Sequence, residues 1–208
     1  MRKRREAGSG MAAVAFKPGS AEALGGLVAR RPAVCDGAVR WYLARAGEGR
    51  EAALAADLRA LLAPGTLADA FCPMWEMLAK RRGEWLVLER AMFPGYAVLA
   101  SPDAPALSRA LSRLSFAVPM AGRRGRDLSP VEAGVQEWLQ GALDGRHVLR
   151  ASEGAIRAGG LSVERGPLKG SEGRVRRIDR HKSMAWVALG DAEPQFLLRA
   201  ALAVPVKE

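Results

Sequence analysis

The sequence predicts an α+β chain in which two structured units are joined by a helical connector. Three observations predict this class. Residues 37–122 alternate strand-like and helix-like apolar patterns, residues 129–145 carry the signs of a short capped helix, and residues 147–208 contain only short alternating segments separated by glycine. Alternation with a period of two indicates a strand, whereas a stripe at i, i+4, i+7 and i+8 indicates a helix.

The first unit is predicted to have the element order β-α-β-β-β-α-β. Val39, Trp41 and Leu43 recur at every second residue of a strand over 38–46. Four leucines between 54 and 62 then form one stripe of an amphipathic helix. Two helices can cover one face of a mainly antiparallel sheet, which is an α+β layer arrangement. The remaining predicted elements are strands over 69–78, 85–90, 96–100 and 115–120 and a capped helix over 101–114.

The connector is predicted to contain a helix of its own. The polar stretch AGRRGRD is followed by Ser129, Pro130 and Glu132, which have the types and spacing of an N-cap, an N1 proline and the second member of a capping box. The apolar stripe of this helix includes Trp138, which we expect to dock on another part of the chain.

The second unit is predicted to be a small β-barrel. About five short, curled strands in about 55 residues, with glycine turns between them, are typical of one. Val175 and Ile178 are three residues apart, so a regular strand would place them on opposite faces. A β-bulge or a sharp curl is needed if both side chains point into one core.

The net charge of +10 is unevenly distributed. Residues 37–122 carry ten cations against eight anions, whereas residues 163–208 carry nine against six. Five arginine and lysine residues lie between Arg174 and Lys182, with Asp179 as the one anion among them. A concentration of cations of this kind favours contact with nucleic acid, although a solvated hairpin is the alternative.

Several classes of site are not predicted. Cys35 and Cys72 form no CxxC motif, and His147 and His181 are isolated, so we expect no metal. The sequence contains no GxxxxGK[ST], HExxH or GxSxG motif, so neither a catalytic site nor a cofactor is expected. No apolar run approaches the ~18 residues that span a membrane. We therefore expect a monomeric, cytoplasmic binding protein that is not an enzyme.

Several stretches resemble the NusG family of transcription factors. RWYLARAGEGRE, KRRGEW and MFPGYAVL occur in the order and spacing of the NusG N-terminal domain, and GPLKGSEGRVRRID is similar to the KOW motif. The resemblance covers about residues 38–208. The connector and the basic KOW segment most resemble the specialised LoaP subfamily. Housekeeping NusG tends to have an aromatic residue at the position of Leu168, and acidic or mixed residues at the positions of Arg176 and Arg177.

This resemblance implies a division of labour. It implies an N-terminal domain that binds the clamp helices of RNA polymerase near upstream DNA, and a KOW domain that binds a nascent RNA hairpin and promotes processive antitermination. The alternative is a housekeeping NusG that links polymerase to a small-subunit ribosomal protein or to Rho. A more distant alternative is a ribosome-associated KOW protein. Residues 1–36 show no sustained periodicity and are predicted to be a mobile basic tail that the resemblance does not cover; the other predicted divisions are the polymerase-binding domain (37–122), the linker with its helix (123–146) and the KOW domain (147–208).

The resemblance also assigns roles to residues, each with a structural alternative. The polymerase-facing residues can instead be core residues around a Pro-Gly turn, the RNA-facing cations can be a solvated rim, and the cations of the hairpin tip can serve solubility. The implied polymerase-binding residues are Trp41, Tyr42, Met92, Phe93, Pro94 and Tyr96. The implied RNA-binding residues are Lys169, Arg174, Arg176, Arg177, Arg180, His181 and Lys182, and Lys80, Arg81 and Arg82 are implied to contact DNA or polymerase.

Overall fold

The structure, a computed structural model, describes residues 27, 37–121, 128–157, 159–190 and 196–204. These residues contain three helices and several sheets, which confirms the α+β class. The elements are β1 (Arg40–Arg45), α1 (Glu51–Leu61), β2 (Asp69–Phe71), β3 (Met74–Arg81), β4 (Glu84–Ala91), β5 (Tyr96–Ser101), α2 (Ala104–Ser112), α3 (Ala133–Ala142), β6 (Val148–Leu149), β7 (Ser152–Arg157), β8 (Gly160–Arg165), β9 (Val175–Asp179), β10 (Met184–Leu189) and β11 (Phe196–Ala203).

The strands of the N-terminal unit, residues 37–121, divide between two sheets instead of one, and the second sheet also includes β6 of the C-terminal unit. One sheet has the antiparallel order β1-β5-β2, and the other has the order β4-β3-β6. The predicted strand over 69–78 is divided at Cys72 and Pro73, so that β2 and β3 belong to different sheets. Proline has no N–H group to donate to a ladder, and this is why one continuous strand is not formed.

Two local predictions in this region are wrong. The predicted strand over 115–120 is reduced to a single bridge between Ala44 and Met120, since Pro119 cannot donate to a ladder. The predicted capping box is absent, because Pro130 and Val131 are extended and lie beside β1. The helix begins only at Ala133, so a backbone pairing across the fold has replaced the local cap.

The connector helix α3 packs on both units. The carboxamide of Gln136 accepts a hydrogen bond from the backbone N–H of Trp41 at 3.0 Å and donates one to the carbonyl of Val39 at 2.9 Å. The indole Nε1 of Trp138 donates to Ser171 Oγ at 3.0 Å, which confirms that this tryptophan docks on another part of the chain.

The C-terminal unit, residues 147–204, forms an open five-stranded sheet of order β8-β7-β11-β10-β9. No closed barrel is found, since β8 and β9 are not paired in the described part of the chain. Instead, the carboxylate of Glu172 accepts a hydrogen bond from the backbone N–H of Val163, and this contact bridges β8 to the 3₁₀ turn that precedes β9. The predicted bulge is confirmed by a register shift between β9 and β10.

Two apolar cores fill the described chain. The first lies between β1, β2, β5 and helices α1 and α2, where Tyr42, Leu58 and Leu107 are fully buried. The second runs continuously from the opposite face of that sheet into the C-terminal unit. Leu27 belongs to this second core, and its carbonyl accepts a hydrogen bond from the N–H of Glu132. The rest of the predicted tail, residues 122–127 of the connector and residues 205–208 lie outside the described residues.

Candidate nucleic-acid interface

The cations predicted to bind RNA lie close together in sequence along one ribbon of the C-terminal unit. We call the following seven residues the cationic ribbon: Lys169, Arg174, Arg176, Arg177, Arg180, His181 and Lys182. Lys169 belongs to the turn after β8, Arg174 ends the 3₁₀ turn, Arg176 and Arg177 lie on β9, and the last three form the turn to β10. All are exposed except Arg174, which is half-buried.

A glycine fixes the start of this ribbon. Gly166 has a φ of +94°, and a Cβ at this position would lie 2.6 Å from Ser152 Oγ and 2.8 Å from the carbonyl oxygen of Ala151. Only glycine fits both the conformation and the space. The same Ser152 hydroxyl accepts a hydrogen bond from the N–H of Leu168, whose side chain is fully buried. These contacts fix the turn that carries Lys169, the first residue of the cationic ribbon.

The β-bulge determines which residues of β9 face outward. Ile178 lies opposite Ala185 and Val175 lies opposite Val187, and both partners on β10 are fully buried. The shift lies between these two pairs, so Val175 and Ile178 share the inner face although they are three residues apart. Arg177 is paired with Trp186 and is exposed.

The carboxylates near the ribbon are occupied by the backbone. Asp179 Oδ1 accepts a hydrogen bond from the N–H of Lys182 at 3.1 Å. Backbone N–H groups, first that of Glu172 itself and then that of Val163, hold the pKa of the Glu172 carboxyl below its usual range. Each of these two anions also lies near one ribbon cation, since Lys182 Nζ is 4.0 Å from Asp179 Oδ2 and the charge of Lys169 contributes to the lowered pKa of Glu172.

The ribbon cations differ in how they are held. Arg176 Nη1 donates to the carbonyl of Gly173 at 2.6 Å. Lys182 Nζ lies 4.0 Å from Asp179 Oδ2, with most of its side chain exposed. Arg177 is instead stacked, with its guanidinium carbon 4.7 Å from the ring centroid of Trp186.

Sequence reasoning missed three residues beside Arg177, namely Trp186, Arg199 and Trp75. Trp186 on β10 lies opposite Arg177 on one side and Arg199 of β11 on the other. The guanidinium carbon of Arg199 is in turn 5.6 Å from the ring centroid of Trp75 on β3. We call these four residues the Arg–Trp ladder. Met184 and Trp186 are two residues apart on β10, so they lie on the same face of the sheet. The strand register is needed to identify the arginines that lie beside Trp186.

The residues predicted to bind polymerase fall into two groups. Trp41, Met92, Phe93 and Tyr96 lie in the second core, and we call them the apolar face. Tyr42 points through the sheet into the first core, so it is not part of this face. Pro94 is half-buried in the turn between β4 and β5.

The apolar face is covered by the C-terminal unit. Phe93 is 4% exposed, and its ring centroid lies 6.0 Å from that of Phe196 at the start of β11. The turn itself is held by Glu51, whose carboxylate accepts a hydrogen bond from the N–H of Gly95 at 2.6 Å. In this structure β11 of the same chain therefore covers the apolar face.

Polar contacts fix β6 and the residue after it to the N-terminal unit. β6 pairs in parallel with β3. Arg150 donates from Nε to Asp144 at 2.6 Å and from Nη1 to Glu76 at 2.8 Å, and these hydrogen bonds, that to Glu76 foremost, raise the pKa of its guanidinium. A hydrogen bond from the backbone N–H of Val148 is the main cause of a lowered pKa at Asp144. The His147 ring stacks on Phe71 with centroids 3.7 Å apart.

Lys80, Arg81 and Arg82 lie at the tip of the hairpin formed by β3 and β4. This hairpin contains no residue of the cationic ribbon or of the apolar face. Arg82 and Gly83, with φ of 50° and 89°, form the two-residue turn between β3 and β4. Such positive φ values are typical of the hairpin turns that match strand twist. Arg81 and Arg82 are exposed, and Lys80 Nζ lies 6.0 Å from the ring of Trp85, which is 53% exposed.

The described residues contain no group of three or more His, Cys, Asp or Glu side chains that could hold a metal ion. Among the helices described, none combines the length and apolar character needed to cross a membrane. A comparison of the chain with protein-family models gave no match, and a comparison with curated proteins gave none either.

Proposed function

We propose that this chain is a specialised NusG-type transcription elongation factor that suppresses termination. In this proposal the N-terminal unit binds RNA polymerase and the cationic ribbon binds structured nascent RNA. The observation that carries it is the ribbon itself: six of its seven residues are exposed, and the carboxylates of Asp179 and Glu172 are engaged by backbone N–H groups. The net charge between Arg174 and Lys182 is +4, and all of these cations except the half-buried Arg174 are exposed.

RNA is the polyanion that this surface suits best. Guanidinium groups contact phosphates in a bidentate manner and also stack on bases, whereas an ammonium group provides only a mobile point charge. The ribbon contains four arginines, and it combines strand positions with an exposed turn. Structured RNA presents both an A-form backbone and unpaired loop bases, so it offers a contact to each of these groups.

The polymerase half of the proposal depends on the resemblance and on the apolar face. An apolar surface with aromatic side chains suits the capture of a helical partner. Because β11 covers this face, binding of a partner there requires β11 to move away. RNA binding at the ribbon carries no such requirement, since its cations are exposed in the closed arrangement.

A salt titration tests the RNA half of the proposal. Binding of the full chain to an RNA hairpin is measured between about 50 and 200 mM potassium chloride. The test variant is Arg180→Gln with Lys182→Gln. The matched control is Arg109→Gln with Arg113→Gln, which removes the same charge from exposed positions on and just after α2.

If both turn cations contact phosphates, the log–log salt slope of the test variant should be flatter by about 1.4–1.8, because each contact contributes ~0.7–0.9. The control should keep the wild-type slope. Equal slopes in the two variants would show that the turn cations make no phosphate contact. If the wild-type chain binds no hairpin at all, a protein partner such as that of housekeeping NusG becomes the better explanation of this surface.

A further inference from the structure

The Arg–Trp ladder has one buried end and one open end. Trp75 is 3% exposed, and Arg199 reaches it from β11, so this end is closed between the two units. At the other end Arg177 is exposed on the outer side of β9, with Trp186 half-buried beside it. Arg177 is therefore the exposed arginine of the ladder, whereas Arg199 is half-buried.

The indole of Trp186 holds that guanidinium in a fixed orientation. A distance of 4.7 Å between the guanidinium carbon and the ring centroid is a cation–π contact. Arginine is planar, and stacking on an aromatic ring restricts its side chain before any ligand arrives. A group that is ordered in advance loses less freedom on binding, which strengthens the contact that it makes.

Arg177 differs in this respect from its neighbours. Arg176 is bonded to the carbonyl of Gly173, and Lys182 lies beside Asp179. Within the described residues, the side chain of Arg177 makes no hydrogen bond or ion pair; its contact is the cation–π contact with Trp186. Its N–H groups and the outer side of its plane are consequently open to solvent.

We propose that Trp186 and Arg177 form a base-stacking platform, in which an unpaired RNA base lies on the outer side of the Arg177 guanidinium. This inference rests on the proposed RNA-binding function and adds the part of the RNA that the site selects. Single-stranded loops are the usual targets of sequence-specific RNA recognition, and their bases stack on aromatic rings and on arginine planes. The phosphates beside the base then lie near Arg180 and Lys182 in the adjacent turn.

Two RNA probes separate stacking from charge. One is a hairpin with 2-aminopurine in its unpaired loop, whose fluorescence falls when the base stacks. The other is a blunt duplex with the sequence of the same stem. Arg177→Lys keeps the charge and removes the plane, and Trp186→Leu keeps apolar bulk and removes the ring. Arg109→Lys is the matched control, since it makes the same exchange at an exposed residue of α2 that lies outside the cationic ribbon.

The wild-type chain should bind the hairpin about tenfold more tightly than the duplex, within the range of one base–aromatic stack, and should quench the probe. Arg177→Lys and Trp186→Leu should lose this preference and the quenching while binding the duplex with the wild-type salt slope. Arg109→Lys should retain both. Arg177→Lys alters an exposed side chain, so it decides the matter by itself if thermal unfolding shows that Trp186→Leu is not folded.

Retention of both the hairpin preference and the quenching by Arg177→Lys would overturn the platform, and the ladder would then be a purely structural contact. A wild-type chain that binds hairpin and duplex equally, with no quenching, would also overturn it while leaving RNA binding intact. A wild-type chain that binds neither RNA would overturn the proposed function and the platform together, so the two failures are distinguishable.

Discussion

The carboxamide of Gln136 provides the sharpest test of how the connector is attached. It lies between the N–H of Trp41 and the carbonyl of Val39, so that the side chain takes the place of a neighbouring strand at the edge of β1. Gln136 is buried, and Gln140, one turn further along α3, is exposed. Replacing each by leucine makes the same chemical change in two different environments.

The magnitude follows from the two backbone groups that lose their partner. Trp41 is 5% exposed, so its N–H cannot easily recover a bond to water, and a buried unpaired donor costs about 1–3 kcal/mol. Val39 is 40% exposed, so its carbonyl can be hydrated and the loss is about 0.5–1 kcal/mol. Gln136→Leu should therefore lower the free energy of unfolding by about 3 kcal/mol. For a chain of this length that corresponds to a fall in Tm of about 6–12 °C.

The assay is thermal unfolding of the full chain followed by circular dichroism. Gln140→Leu should stay within about 0.5 kcal/mol of the wild type, as is usual for an exposed substitution. If Gln136→Leu lowers Tm no more than Gln140→Leu, the connector helix is not docked on β1, and the fixed placement of α3 on the N-terminal unit is wrong.

Two further predictions concern the covered face and the half-buried thiol of Cys72. Phe196→Ala should remove the cover from Phe93, so a pull-down with RNA polymerase should retain more of this variant than of the wild type; equal or lower retention by protein that is still folded contradicts polymerase binding at the apolar face. Burial, and secondarily the charge of Glu51, raises the pKa of Cys72 from 9.0 to about 11, so at pH 8 iodoacetamide should label folded Cys35→Ala protein far more slowly than the urea-unfolded protein. Because this pKa is raised on folding, its contribution to stability is complete below pH 9 and is lost as the pH rises toward 11; labelling at equal rates in both states contradicts the burial.

Local pattern predicted most of the elements of the N-terminal unit. The strand over β1, the helix α1 and the hairpin of β3 and β4 follow from period and turn chemistry, and these features depend on residues close in sequence. The bulge in β9 was predicted for a similar reason, since Val175 and Ile178 cannot face one core in a regular strand. In each case the information lies within a few residues.

The failures occur where distant parts of the chain compete with a local preference. Ser129 and Glu132 have the types of a capping box, yet Pro130 and Val131 pair with β1 and the helix starts later. The strand over 69–78 has an acceptable apolar pattern, but Pro73 ends one sheet and allows β3 to join another. Strand register is the common cause, because it is decided by partners that single-sequence periodicity does not identify.

The candidate site shows the same limit. The sequence identifies the arginines of the ribbon, but it does not reveal that Arg177 is stacked whereas Arg176 is bonded to a carbonyl. That difference arises from one extra residue in the bulge, which brings Arg177 opposite Trp186. Two adjacent residues of the same type consequently have different chemical roles: one completes a turn and the other is open to a ligand.

Phe93 shows why the apolar face left two interpretations open. A partner-binding surface and a core require the same residues, since both are aromatic side chains that are unfavourable in water. In this structure Phe196 and its strand satisfy that requirement. Under the proposed function, a polymerase helix covers these aromatic side chains when β11 is displaced. The free energy of the contact with β11 is then subtracted from the free energy of polymerase binding. The composition of the face therefore indicates that it is covered, and the competition between β11 and the partner decides what covers it.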